Sequence, residues 1–162
     1  MKKMLLVSMV LAVGLLTTGC TSSNTTKDTM MEQSEAIKLS IINVTSDSDD
    51  GNVAENVLDG NLTTRWSSAN DSWLILELEK ISKLTEVKIA FSKGNERTAN
   101  FALEVSTDGE KWKRVFDGMS SGTTKELETF DVTEEAKFVK FVGWGNSYNE
   151  WNSLTSVEVI GR

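Results

Sequence analysis

Trp73-Leu74-Ile75-Leu76-Glu77-Leu78 and, after five intervening residues, Leu84-Thr85-Glu86-Val87-Lys88-Ile89-Ala90-Phe91 place apolar side chains at every second position. Leu74, Leu76 and Leu78 share one face of the first run, and Val87, Ile89 and Phe91 align in the second. Side chains alternate across a strand, so each run reads as a strand with one buried face. The same pattern continues outward in both directions. Leu39 to Val44 precedes it; Phe101, Leu103 and Val105 alternate with Ala102, Glu104 and Ser106; then come Trp112 to Phe116, Leu127 to Val132, Phe138 to Val142 and Val157 to Ile160. Gly, Asn, Asp and Ser bound these runs, as turns require. About eight strands at this spacing predict an all-β domain, an antiparallel β-sandwich of two sheets packed roughly 10 Å apart. The one helical hint is Val53 to Leu58, ahead of Asp59-Gly60. No internal repeat is visible.

The 162 residues hold one domain and little else, at roughly 100 to 200 residues per domain. With no His, no Pro and one Cys, the chain lacks the commonest general base, His-containing zinc sites and any intramolecular disulfide. Most hydrolytic chemistry is thereby disfavoured. Lys and Arg total 17 against 24 Asp and Glu, a net charge of -7, which argues against nucleic acid as a partner.

Lys2 and Lys3 precede the apolar run Met4 to Leu16, which falls short of the roughly 20 residues of a membrane span and reads as a secretory signal. It ends in Leu15-Leu16-Thr17-Thr18-Gly19-Cys20, which resembles a bacterial lipobox. That resemblance implies removal of residues 1–19 and acylation of Cys20. Two or three acyl chains, at about 0.8 kcal/mol per buried methylene, hold a protein stably at a membrane. Residues 20–37, polar and without apolar period, are expected to form a flexible stalk, and residues 38–162 the sandwich domain. The expected protein is lipid-anchored in the bacterial cell envelope, at the outer membrane, and touches the bilayer only through that lipid. Loss of Lys2 and Lys3 leaves 15 basic against 24 acidic side chains, a net charge of minus nine.

Three stretches resemble the discoidin-like, or coagulation factor 5/8 type C, domain and, within it, carbohydrate-binding module family 32. They are Leu58-Asp59-Gly60-Asn61-Leu62-Thr63-Thr64-Arg65-Trp66-Ser67, Ser106-Thr107-Asp108-Gly109-Glu110-Lys111-Trp112 and Trp151-Asn152-Ser153-Leu154-Thr155-Ser156-Val157-Glu158-Val159. Asp49-Asp50-Gly51-Asn52, Phe91-Ser92-Lys93-Gly94-Asn95-Glu96-Arg97-Thr98 and Gly145-Asn146 are similar to the subgroup appended to alginate lyases. The resemblance implies a jelly-roll sandwich, monomeric and non-catalytic, that binds a polysaccharide or oligosaccharide through loops at one end. It also implies a structural calcium held by Asp59, Asn61 and Thr64, with Glu158 as the acid nearest the closing position.

Residue chemistry supports a sugar site independently. A sugar ring has an apolar C–H face and a hydroxyl rim, so it asks for a flat aromatic beside amides or charged groups. Trp144 and Trp151 lie in the polar stretch 143–152 together with Asn146 and Asn152, whereas Trp73 and Trp112 lie in or beside strands and read as structural. A uronate adds a carboxylate, which Arg grips bidentately; Arg97 and Lys93 suit it, and Arg65 lies beside Trp66. Each has a plainer reading: Arg65 as a stacked structural arginine, Arg97 and Lys93 as a solvated loop, Trp151 as packing, Asn146 and Asn152 as turn residues. A neutral or amino sugar, and an envelope protein-interaction module on the same fold, stay open as alternatives. A lyase built on Tyr148 and Arg97 would lack an evident tuned base, so no catalysis is expected.

Overall fold

A computed structural model describes residues 35–162; Cys20, the signal and nearly all of the expected stalk lie outside the described residues. Nine strands run through them: β1 (Ile37–Lys38), β2 (Ile41–Ser46), β3 (Trp66–Ala69), β4 (Ser72–Phe91), β5 (Ala99–Ser106), β6 (Lys113–Met119), β7 (Glu128–Asp131), β8 (Glu135–Asn146) and β9 (Trp151–Gly161). Every pairing between them is antiparallel. Val53 to Leu58 contains a 3-10 turn, Ala54–Leu58, whose Val57 side chain is buried.

The two alternating runs that open the sequence reading are one strand. The first part of β4 pairs with β2 and β8, and its second part with β9 and β7. The register against β8 shifts between Glu77 and Ser82, so the chain passes from one layer to the other through a bulge instead of a turn. One layer therefore runs β2, β4, β8, β5, β6. The other carries β9 against the far half of β4, with β1 and β3 on β9 and β7 on β4. This fusion, with short β1 and β3 added, turns about eight expected strands into nine.

β8 also runs further than its apolar run suggests. Gly143-Trp144-Gly145-Asn146 reads as loop from composition, yet Gly143 lies in register with Ser72 on one side and Phe101 on the other. Ladder bonds from two neighbours outweigh the poor strand preference of glycine. A side chain at Gly143 would collide with the Asn152 carboxamide, so glycine is required there. Only the hairpin tip between Asn146 and Trp151 remains outside the strands.

The core lies between the layers. Leu74, Leu76 and Leu78 share one buried cluster with Val87, Ile89, Leu154 and Val159. Phe101 stacks on Phe141 at 5.1 Å between ring centroids and meets Phe130 edge-on at 5.1 Å. Trp66 is fully buried; its indole N–H donates to the Ser48 carbonyl oxygen at 3.0 Å, which spares a polar group in the core. Its neighbour Arg65, immediately ahead of β3, is only half-buried.

Candidate functional site

A cleft of about 300 Å³ lies where the connection after β2, the start of β3, the loop between β4 and β5 and the start of β9 come together. Asp50, Arg65, Ser67, Ser92, Lys93, Arg97, Trp151 and Ser153 line it. Four separate stretches of sequence thus contribute to one site.

Local hydrogen bonds hold each wall. Asp50 accepts from the Asn52 backbone N–H at 3.1 Å and from its side-chain amide at 2.7 Å. The same segment is laced to β3 by Asp50 N–H to Ser67 carbonyl and Ser67 N–H to Asn52 carbonyl, each 3.1 Å. Between β4 and β5, Lys93 adopts φ 56°, and its carbonyl accepts the N–H groups of Glu96 and Arg97. Ser92 N–H donates to Ser153 carbonyl oxygen at 3.1 Å, tying this loop to β9. Arg97 donates from Nε to the Ser92 carbonyl at 3.3 Å, which leaves the terminal nitrogens for a ligand. Trp151 is 39% exposed, while its N–H and carbonyl are bound by Asn149 and Asn146. An indole held by its backbone and open on its ring is a platform.

Electrostatics favour an anion. Among the described residues Arg65, Lys93 and Arg97 have no carboxylate within ion-pair distance, and neither do Lys80, Lys83, Lys111, Lys125 and Arg162; what distinguishes the three is that they line one cleft. Partial burial lowers the Arg97 pKa; Glu96 opposes the shift and the Arg65 guanidinium adds to it. Two guanidinium groups that sense each other gain from an anion between them. Asp50 is the one acid in the lining. Its bond from the Asn52 amide, chiefly, and the nearby Arg65 keep it below the ordinary carboxylate range, so it accepts hydrogen bonds at neutral pH.

Of the residues singled out from sequence, Arg65, Lys93, Arg97 and Trp151 converge here. Asn146 borders a narrow crevice with Arg97 and Trp151, but its amide donates to Asn149 and Trp151 and its oxygen accepts from Tyr148 N–H, all within the hairpin. Asn152 is 2% exposed; its oxygen accepts Gly145 N–H, and its amide donates to Asn70 carbonyl and Ser72 hydroxyl. It braces the site from inside. Trp144 stands on the outer face of β8, half-buried, with the Arg114 guanidinium 5.5 Å from its ring centroid. It lines neither the cleft nor the crevice. Asp50, Ser67, Ser92 and Ser153 are not among the residues the sequence singles out as ligand contacts, because a small polar residue has no signature of its own. All four lie within the family-like stretches 49–52, 58–67, 91–98 and 151–159, which is the one signal that could find them.

Three of the expected calcium ligands, Asp59, Asn61 and Thr64, are bonded to one another within one turn. Asp59 accepts Asn61 N–H at 2.8 Å and the Thr64 hydroxyl at 2.6 Å, and that hydroxyl also lies 2.8 Å from the Asn61 carbonyl oxygen. These bonds, the Thr64 one foremost, hold Asp59 below the ordinary carboxylate range. Three hard oxygens in one turn suit a hard cation. Glu158 on β9 forms an ion pair with Lys38 at 2.8 Å and lines, with Leu58, Gly60 and Ser156, a cavity of about 240 Å³ beside that turn. No group of three or more His, Cys, Asp or Glu placed to hold a metal occurs among the described residues.

Sandwich and cleft together define a binding domain of the discoidin-like class, with its candidate site made by connections between strands. The chain belongs to the F5/8 type C domain family, which it matches over residues 41–158. Among solved structures it is similar to the CBM32 of AlyQ in complex with 4,5-unsaturated mannuronic acid, with 35% identity, a TM-score of 0.74 and coverage of 76% of this chain and 97% of that one. It is also similar to a pectin-binding carbohydrate-binding module, with 29% identity, a TM-score of 0.72 and coverage of 75% and 91%. A curated relative, the polysaccharide lyase 8 family protein HylA of Enterococcus faecalis, is 30% identical over 95 residues. That stretch is 55% of this chain, and the chain spans only 7% of that protein's length.

Proposed function

We propose that this protein is a non-catalytic carbohydrate-binding module that captures an acidic, alginate-like polysaccharide. Trp151 takes the C–H face of a sugar ring, Arg65, Lys93 and Arg97 grip its carboxylate, and Asp50 accepts from its hydroxyls. One observation carries the reading: in an acidic protein, three cations and a single acid line one cleft with an exposed indole. The ligand named for one relative, 4,5-unsaturated mannuronic acid, and the pectin named for another support it. The domain's overall negative charge opposes a polyanion at long range, but with a Debye length of about 8 Å at physiological salt the local patch prevails. Calorimetric titration with oligomannuronate, oligogalacturonate and a neutral glucan tests this. Saturable binding to the uronates that weakens with salt is expected, at a Kd between millimolar and micromolar, or about 4 to 8 kcal/mol. Equal affinity for the neutral glucan would overturn it. Release of unsaturated products from alginate or pectin, seen by ultraviolet absorbance, would refute the absence of catalysis.

We further propose, from the lipobox-like stretch that ends at Cys20, that the domain is a monomer on a stalk held at the bacterial envelope through a lipid on Cys20. Palmitate labelling of wild type but not of Cys20→Ala is the expected result. Calcium is proposed at the Asp59, Asn61 and Thr64 turn, where it would cross-brace the connection between the 3-10 turn and β3. A fall in Tm on chelation, absent in Asp59→Asn, is the result that supports it.

A further inference from the structure

The cationic cleft does not end at Lys93. A second cleft, of about 190 Å³, adjoins the first and shares Arg65, Ser92 and Lys93 with it as a common wall. Its far side carries Leu62, Thr63 and Lys125. Lys125 comes from the connection between β6 and β7, remote in sequence from every other residue of the site. It is delivered by a close approach of two backbones: a Cβ on Gly94 would overlap the Thr124 carbonyl oxygen, so only glycine lets the loops meet there. Like Arg65, Lys93 and Arg97, Lys125 has no ion-pair partner among the described residues. Leu62, 41% exposed, offers this cleft the apolar surface that Trp151 offers the first.

The arrangement is therefore repeated: an apolar contact and cations, twice, across the shared wall of Arg65 and Lys93. A polyuronate repeats in the same sense, with an apolar ring face and a carboxylate on every residue. We infer that the site reads two consecutive uronate residues, with Lys125 as the specificity-determining contact to the carboxylate of the second. This rests on the acidic-sugar reading of the first cleft and extends it from a monosaccharide pocket to a chain-recognising groove. Lys125 itself is exposed, so its replacement leaves the core untouched.

The test titrates wild type, Lys125→Ala and Arg97→Ala with mannuronate and with tetramannuronate, with Tm recorded for each. The tetramer is expected to bind wild type more tightly than the monomer. Lys125→Ala should weaken tetramer binding about threefold to tenfold, the range between an exposed ion pair and a charge-assisted hydrogen bond, and leave the monomer unaffected. Unchanged tetramer affinity in Lys125→Ala, or an equal loss for both ligands, overturns the second subsite while the first stands. Failure of wild type to bind either ligand, or indifference of both ligands to Arg97→Ala, overturns the acidic-sugar reading and the second subsite with it.

Discussion

Arg97 donates from Nε to the Ser92 carbonyl oxygen at 3.3 Å, so its guanidinium is held by the loop that carries it. The plane is set before a ligand arrives, and little side-chain entropy remains to be lost on binding. Arg97→Ala should weaken uronate binding by about 1.5 to 3 kcal/mol, the value of a charge-assisted hydrogen bond, or roughly ten- to a hundredfold. Arg97→Lys keeps the charge without the planar fork and should restore only part of it. Calorimetry reads both, and an Arg97→Lys variant equal to wild type would mean that charge alone suffices.

Trp151 and Trp144 are expected to separate. Trp151→Ala removes the platform in the cleft and should cost about 0.5 to 1.5 kcal/mol of sugar binding, with little change in Tm because the ring is partly exposed. Trp144→Ala should leave binding unchanged, since that ring faces Arg114 on the outer face of β8. Titrating both variants with the same oligouronate decides which indole meets the sugar.

Trp66 sits wholly inside, edge-on to Phe141 at a centroid distance of 6.2 Å. Trp66→Ala should lower stability by about 3 to 5 kcal/mol, measured by denaturant unfolding, and Trp66→Phe by less, although it too loses the bond to Ser48. A loss under 1 kcal/mol for Trp66→Ala would show that the core reorganises around the vacated space.

Asp108 organises the turn between β5 and β6. It accepts the N–H groups of Glu110 and Lys111 at 2.9 Å each and the Ser106 hydroxyl at 3.0 Å. These bonds, with Lys111 N–H first, lower its pKa from 3.8 to about 2. A carboxylate with a depressed folded-state pKa contributes stability that is complete above its unfolded value and is lost as pH falls. The contribution should therefore hold above about pH 4 and disappear between pH 3.8 and about 2. Wild type minus Asp108→Asn stability, followed by melting across that interval, should shrink towards zero at the acid end. A constant difference would mean that the turn does not depend on this charge.

The hydrophobic alternation in the 74–78 and 87–91 stretches was enough to identify strands, because a period of two needs no knowledge of the partner strand, and about eight such runs made a sandwich. It was silent on the join between those stretches. Whether Glu79 to Lys83 turn back or run on depends on what β8 and β9 offer as pairing partners. Arg97, Lys93 and Trp151 were legible as candidates from their residue type in polar surroundings. Asn152 has the same residue chemistry, yet it lies buried with its carboxamide bonded to Gly145 N–H, the Asn70 carbonyl and the Ser72 hydroxyl. Side-chain chemistry declares what a residue is able to bind, and the direction in which it points comes from strand register.

What the sequence determined alone is local or compositional: the all-β pattern, the absence of histidine, the acidic balance and the residue types suited to a uronate. What only the tertiary structure decided is adjacency. It placed Arg65, Arg97 and Trp151 around one cleft, turned Trp144 to another face and brought Lys125 to Lys93 through the backbone approach of Gly94 to Thr124. The physical reason is that these neighbours are joined by long-range antiparallel pairing and by steric fit between loops. Neither leaves a periodic trace along the chain.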